Sequence, residues 1–238
     1  MIISAGRNEV FPFALPMGVG LIDMSINLTA FLQKRAMAGF YAKYERDFAD
    51  ERAADLAALA PFATHSQADN ELNLANPSAS RKANLSQNPD KILNALPSEI
   101  IFVGSAGLYK EGEILKIYES RSAVNYEILA LYGLSYSPIN YEIIARDSAD
   151  VSYETITNSS NFITTDKKSA LKFFERGYFL ENMEFFAVLK VAQKFQIPAY
   201  GIFCATNFCD SNAHADFLKN HAAAKENLTK YLKTKALI

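Results

Sequence analysis

Two runs, EIIFVGSAG (99–107) and IPAYGIFCAT (197–206), constrain the fold of this chain more than anything else in it. Neither alternates apolar with polar residues, as a strand with one wet face does, so each reads as a strand buried on both sides. Such a sheet needs a helix layer above and below it. Helical spacing of three and four runs through LIDMSINLTAFLQKRAMAGFYAKY, through DKKSALKFFERG up to Gly177, and through a C-terminal segment near 213–234. Met183, Phe186, Ala187, Lys190, Val191 and Lys194 keep the same spacing until Ile197 and Pro198 stop the helix. GEILKIYES and VSYETIT read as further strands, and Met1 to Ala5 and Val10 to Leu15 as short early ones. The expected fold is three-layer α/β/α around a mixed, largely parallel sheet.

With 238 residues, half of them apolar, the chain can build one substantial core. Residues 44–97 differ: a charged, Ala-rich helix leads into an Asn/Ser/Ala tract unable to bury a core, which predicts a helical, partly disordered insertion within a single domain, 1–238. The 24 basic and 26 acidic residues leave a formal charge of −2, without the basic surplus that nucleic-acid binding requires. No apolar run approaches the roughly 18 residues of a membrane span. Residues 1–21, punctuated by Pro12, Pro16, Gly18 and Gly20, make a poor signal peptide. Cys204, Cys209 and three histidines form neither a disulfide framework nor a zinc set, and a cytoplasmic location is expected.

The strand ending in Thr206 and Asn207 delivers these residues where open α/β sheets bind ligands. Glu184 opens the preceding helix. An acid there can simply offset the helix dipole, worth about 0.5 kcal/mol, or it can face the same crevice.

The segment ENMEFFAVLKVAQKFQIPAYGIFCATN resembles the nucleoside phosphorylase and nucleosidase family, in which a Met-Glu pair opens a helix and a buried strand ends in Ser-Asp or Ser-Asn. IIFVGSAG is similar to that family's strand ending in Gly-Ser-Ala-Gly, MGVGLIDMSINLTAFL to its Gly-Ile-Gly turn and first helix, IISAGRNEV to its first strand, and NSSNFIT to its base-binding loop. The pieces follow the family's chain order. A lone GSAG is unspecific, whereas the ordered set is specific.

The resemblance implies cleavage of the N-glycosidic bond of a purine nucleoside, a reaction that passes through a sugar cation. Glu184, beside Met183, would accept hydrogen bonds from the ribose hydroxyls. Phe162 would stack on the base; as one of 17 phenylalanines it could equally belong to the core. Asn207 departs from the Asp found in much of the family. An amide cannot act as a general acid, but it can both donate to and accept from a 6-oxopurine. Asp210 is either a substitute acid or a solvated loop residue. Ser105, Ala106 and Gly107, with Arg7, would cradle phosphate or position water, and Glu9 would serve as general base unless it is an exposed loop carboxylate.

Phe102 stands where some phosphorylases carry Arg, which favours water over phosphate as nucleophile. Phe203 likewise replaces an Arg, and Phe185 and Phe186 replace small residues. The resemblance implies no metal or organic cofactor, inorganic phosphate as the alternative co-substrate, and a homodimer. The alternative is a catalytically degenerate relative that binds a nucleoside or keeps only the scaffold.

Overall fold

The structure, a computed structural model, describes residues 1–38, 96–145 and 154–238. These fall almost wholly within one of two units, Met1–Phe31 with Pro97–Ile238, the other being Leu32–Leu96. The insertion expected over 44–97 lies, up to residue 95, outside the described residues.

The described elements are strands β1 (Ile2–Ser4) and β2 (Leu15–Pro16), helix α1 (20–38), β3 (Ile100–Leu108), β4 (Ile117–Val124), α2 (Ile128–Leu131), β5 (Glu142–Ile144), β6 (Glu154–Asn158), α3 (Lys167–Glu175), β7 (Leu180–Glu181), α4 (Phe185–Phe195), β8 (Ala199–Phe208) and α5 (Ala213–Thr234). The sheet is mixed. β1–β2, β1–β3, β3–β8, β4–β6 and β6–β7 run parallel, while β3–β7, β4–β5 and β4–β8 run antiparallel. Pairing does not stay open: β3, β8, β4, β6 and β7 follow one another back to β3 in a closed ring. β4 begins later than GEILKIYES predicts, because Gly112 and Leu115 take positive φ and turn the chain before Ile117.

Alternation along β3 and β8 creates the two outer layers. Ile101, Val103, Tyr200, Ile202 and Cys204 point one way and pack under Ala224, Leu228 and Leu232, which recur every fourth residue on α5. Phe102 and Phe203, of opposite parity, point the other way, toward Phe185 of α4. Their ring centroids lie 5.7 Å apart, and Phe185 meets Phe203 edge-on at 5.2 Å. All three rings are fully buried, each contributing about 1.5–3 kcal/mol. This cluster explains why aromatic residues replace the cations expected at 102 and 203: both side chains are core, not site. Gly201 leaves room for it, since a Cβ there would stand 2.5 Å from the Phe203 ring.

α3 starts at Asp166, whose carboxylate accepts the Ser169 N–H at 2.8 Å, and gives way to Gly177 at positive φ. α4 ends as expected before Pro198, with Gln196 in the left-handed region. Among the described residues no helix is long and apolar enough to cross a membrane.

Candidate active site

β3 is shielded on one edge only in part. β1 pairs with it at Ile101 and Phe102, and β7 at Gly107 and Leu108. Between these ladders, side chains take over the backbone groups of Ser105: its N–H donates to Glu9 Oε1 at 2.6 Å, and its carbonyl accepts from Asn182 Nδ2 at 3.1 Å. A cavity of about 360 Å3 opens at this gap, at the low end of the about 300–1,000 Å3 typical of small-molecule sites.

Glu9 reaches the gap from a tight turn, closed by its own N–H to the Gly6 carbonyl at 3.0 Å, with Gly6 and Arg7 both at positive φ. Ser105 Oγ donates to the same carboxylate oxygen as the backbone N–H does. Burial raises the pKa of Glu9, while the two Ser105 hydrogen bonds and the nearby Lys225 and His221 oppose that rise. Arg7 also lines the cavity, from an exposed position.

Glu184 is buried, and its Oε1 accepts the N–H of Gly20 at 2.8 Å. The acid that opens α4 in the sequence therefore faces the N-terminus of α1. Capping of α4 falls instead to Asn182, whose Oδ1 accepts the N–H groups of Glu184 and Phe185, both at 2.9 Å. Burial first, and the charge of Glu9 second, push the Glu184 pKa up to about 8 against the pull of Gly20, Asn182 and Met183. The two carboxylates thus share one field, and the ionisation of each resists that of the other.

Across the cavity, the register of β3 and β8 slips between Ala106 and Gly107, so that Asn207 rather than Thr206 lies opposite Gly107. The irregularity turns both residues of the strand end toward the cavity. Thr206 Oγ1 donates to Asn207 Oδ1 at 2.9 Å, and Asn207 Nδ2 donates to the Phe208 carbonyl at 3.1 Å, which fixes the amide orientation.

Arg7, Glu9, Ser105, Ala106, Gly107, Met183, Glu184 and Asn207 thus line one cavity, although the chain separates them by up to 200 positions. Phe162 is 76% exposed and lies outside the lining, which the next residue, Ile163, joins instead; the Phe162 N–H donates to Ser160 Oγ at 3.1 Å. The aromatic residue that does line the cavity is Phe217 of α5, beside His214. Asp210 also stays out of the lining; its carboxylate accepts the Asn212 N–H at 2.9 Å ahead of α5.

Sequence reading missed Asn182 and Glu181. Asn182 carries the signal of an N-cap, an Asn directly before the periodic run that opens at Met183. Glu181 carries none. It is buried and lines the cavity, with Thr164, Tyr109 and Cys209 around its carboxylate. Cys204 and Cys209 are buried free thiols.

No protein-family model matches the sequence, and no curated protein matches it. Solved structures do. The 5'-methylthioadenosine/S-adenosylhomocysteine nucleosidase of S. pneumoniae, held with a transition-state inhibitor, is 10% identical and matches over 97% of this chain and 95% of its own, with a TM-score of 0.57. The corresponding nucleosidase of Helicobacter pylori, with butyl-thio-DADMe-Immucillin-A, is 18% identical over 58% of this chain and 67% of its own, with a TM-score of 0.50. At these identities the likeness is one of fold. The chain has the α/β fold of the nucleoside phosphorylases and nucleosidases, as the resemblance in the sequence anticipates.

Proposed function

We propose that this chain cleaves the N-glycosidic bond of a purine nucleoside or nucleoside derivative, with a 6-oxopurine as preferred base and water as nucleophile. The observation that carries the reading is the convergence of Glu9, Glu184 and Asn207 on one cavity at the ends of β3 and β8. Bond breaking leaves positive charge on the sugar, and two carboxylates in a site of low dielectric stabilise such charge strongly. Glu184 accepts hydrogen bonds from the ribose hydroxyls, with Met183 beside the sugar. Burial pushes its pKa up to about 8; the cationic sugar favours its ionised form. Glu9, aligned by Ser105, takes the proton of the attacking water. Asn207 faces the departing base. The likeness in fold to the 5'-methylthioadenosine/S-adenosylhomocysteine nucleosidase of S. pneumoniae supports the substrate class.

Water is favoured over phosphate because Phe102 and Phe203 are locked in the core. Among the described residues lining the cavity the basic side chains are Arg7 and His214. The reading needs no metal or organic cofactor, and it places the protein in the cytoplasm as a homodimer, which light scattering tests.

The experiment is to incubate the protein with inosine, guanosine, adenosine, methylthioadenosine and futalosine, with and without phosphate, and to follow base release by chromatography. Release in phosphate-free buffer, fastest from 6-oxopurines, is expected. Strict phosphate dependence makes the protein a phosphorylase, and nucleoside binding without release from any substrate makes it a binding protein.

A further inference from the structure

Glycosidic cleavage leaves the purine with an extra electron pair, and the Asn207 amide has no proton to give it. The structure holds a second polar group at the same place. Gly107 pairs with Asn207 on one side and with Glu181 on the other. A Cβ at Gly107 would stand 3.0 Å from Asn207 Nδ2 and 2.8 Å from Cys209 Sγ, and that thiol lies 3.7 Å from Glu181 Oε1. The Glu181 carboxyl and the Asn207 amide therefore gather over one side-chain-free residue, at the cavity that both line.

The surroundings of Glu181 suit a group that starts with a proton and ends without it. Its hydrogen-bond partners are neutral: Thr164 N–H at 2.9 Å and the Cys209 thiol on Oε1, the Thr164 hydroxyl and the Tyr109 hydroxyl at 3.1 Å on Oε2. No cation stands among them to hold the group ionised, and burial raises its pKa. Tyr109 is itself held by Asn158 Nδ2 at 2.9 Å, so the donors that would catch the new carboxylate are already in place.

We propose that Glu181 is the general acid of this site, an inference that rests on the glycosidase reading above. As the C1′–N bond breaks, its electron pair stays on the base and the Glu181 proton moves to a ring nitrogen. Water adds its hydroxyl to C1′ and its second proton goes to Glu9. Solvent then takes the proton from Glu9 and returns one to Glu181, so the net change is the consumption of one water.

The test compares two substrates in the wild type and in Glu181→Gln, which keeps the size of the side chain and one acceptor oxygen but has no acidic proton. Inosine needs its leaving group protonated; 4-nitrophenyl β-D-ribofuranoside leaves as a stable phenolate and does not. The expected result is a fall of about 10²-fold or more in kcat/KM on inosine, with the aryl riboside within about threefold of wild type. An equal fall on both substrates, or no fall on inosine, overturns the proposal. Glu181→Ala gives a second route: added formate restores inosine cleavage if a carboxylic acid is what is missing, and failure to restore it counts against the proposal. A wild-type protein inactive on both substrates overturns the glycosidase reading and this inference with it, whereas an active wild type with an unaffected Glu181→Gln overturns this inference alone.

Discussion

The Glu184 carboxylate receives the backbone N–H of Gly20 at 2.8 Å, across 164 positions of chain. That contact joins the opening of α4 to the N-terminus of α1, where the helix dipole favours negative charge. Gly20 sits at φ +84°, and a Cβ there would come within 2.9 Å of Asn161 Oδ1, so a side chain at position 20 would disturb the contact. Glu184→Ala is expected to abolish base release while leaving the protein folded by circular dichroism. Activity at the wild-type level in this variant would remove Glu184 from the site.

Stability should depend on pH through the same residue. The folded-state pKa of Glu184 is raised from 4.5 to about 8, so the native state binds the proton more tightly than the unfolded chain does. Stability is then fully present below about pH 4.5 and is lost as pH climbs toward 8. Burial raises Glu9 and Glu181 in the same direction. Thermal melts between pH 5 and 8.5 should show a falling Tm for the wild type and a shallower fall for Glu184→Gln. Parallel slopes for the two proteins would mean that Glu184 titrates alike in folded and unfolded chains.

Glu9→Gln tests the base. The amide oxygen can still accept from Ser105 N–H, but it takes no proton from water, and kcat should drop about 10²-fold or more with KM little changed. Steady-state kinetics on inosine decide it, and a raised KM at unchanged kcat would reassign Glu9 to binding.

Asn207→Ala is expected to cut kcat/KM on inosine about 10²-fold, the scale of one lost transition-state hydrogen bond, and to narrow the preference for inosine over adenosine. An undiminished preference would move base recognition elsewhere in the cavity.

Phe203→Ala probes the core instead of the site. Removing the ring that meets both Phe102 and Phe185 should cost about 3–5 kcal/mol in urea unfolding. A cost below about 1 kcal/mol would show that the three rings do not act as one packed unit.

The layers were legible because their cause is local. Largely apolar, non-alternating runs at 99–107 and 197–206 and three-and-four spacing in α4 and α5 each specify one element and its buried side. β7 escaped notice because two residues carry no period, yet it brings Glu181 to Gly107. Phe162 was singled out by the resemblance of NSSNFIT to a base-binding loop, but which residue of that loop joins the cavity, here Ile163, is set by the packing of the folded chain.

By itself, then, the sequence determined the two-sided burial of β3 and β8, the helices that cover them, and a small set of polar residues at their ends. Only the tertiary structure decided that Glu9 meets Ser105, that Glu184 serves α1 while Asn182 caps α4, and that Glu181 joins Asn207 over Gly107. The reason is physical: burial and helix period act between neighbours along the chain, whereas the ionisation of a buried carboxylate depends on groups that only folding brings beside it.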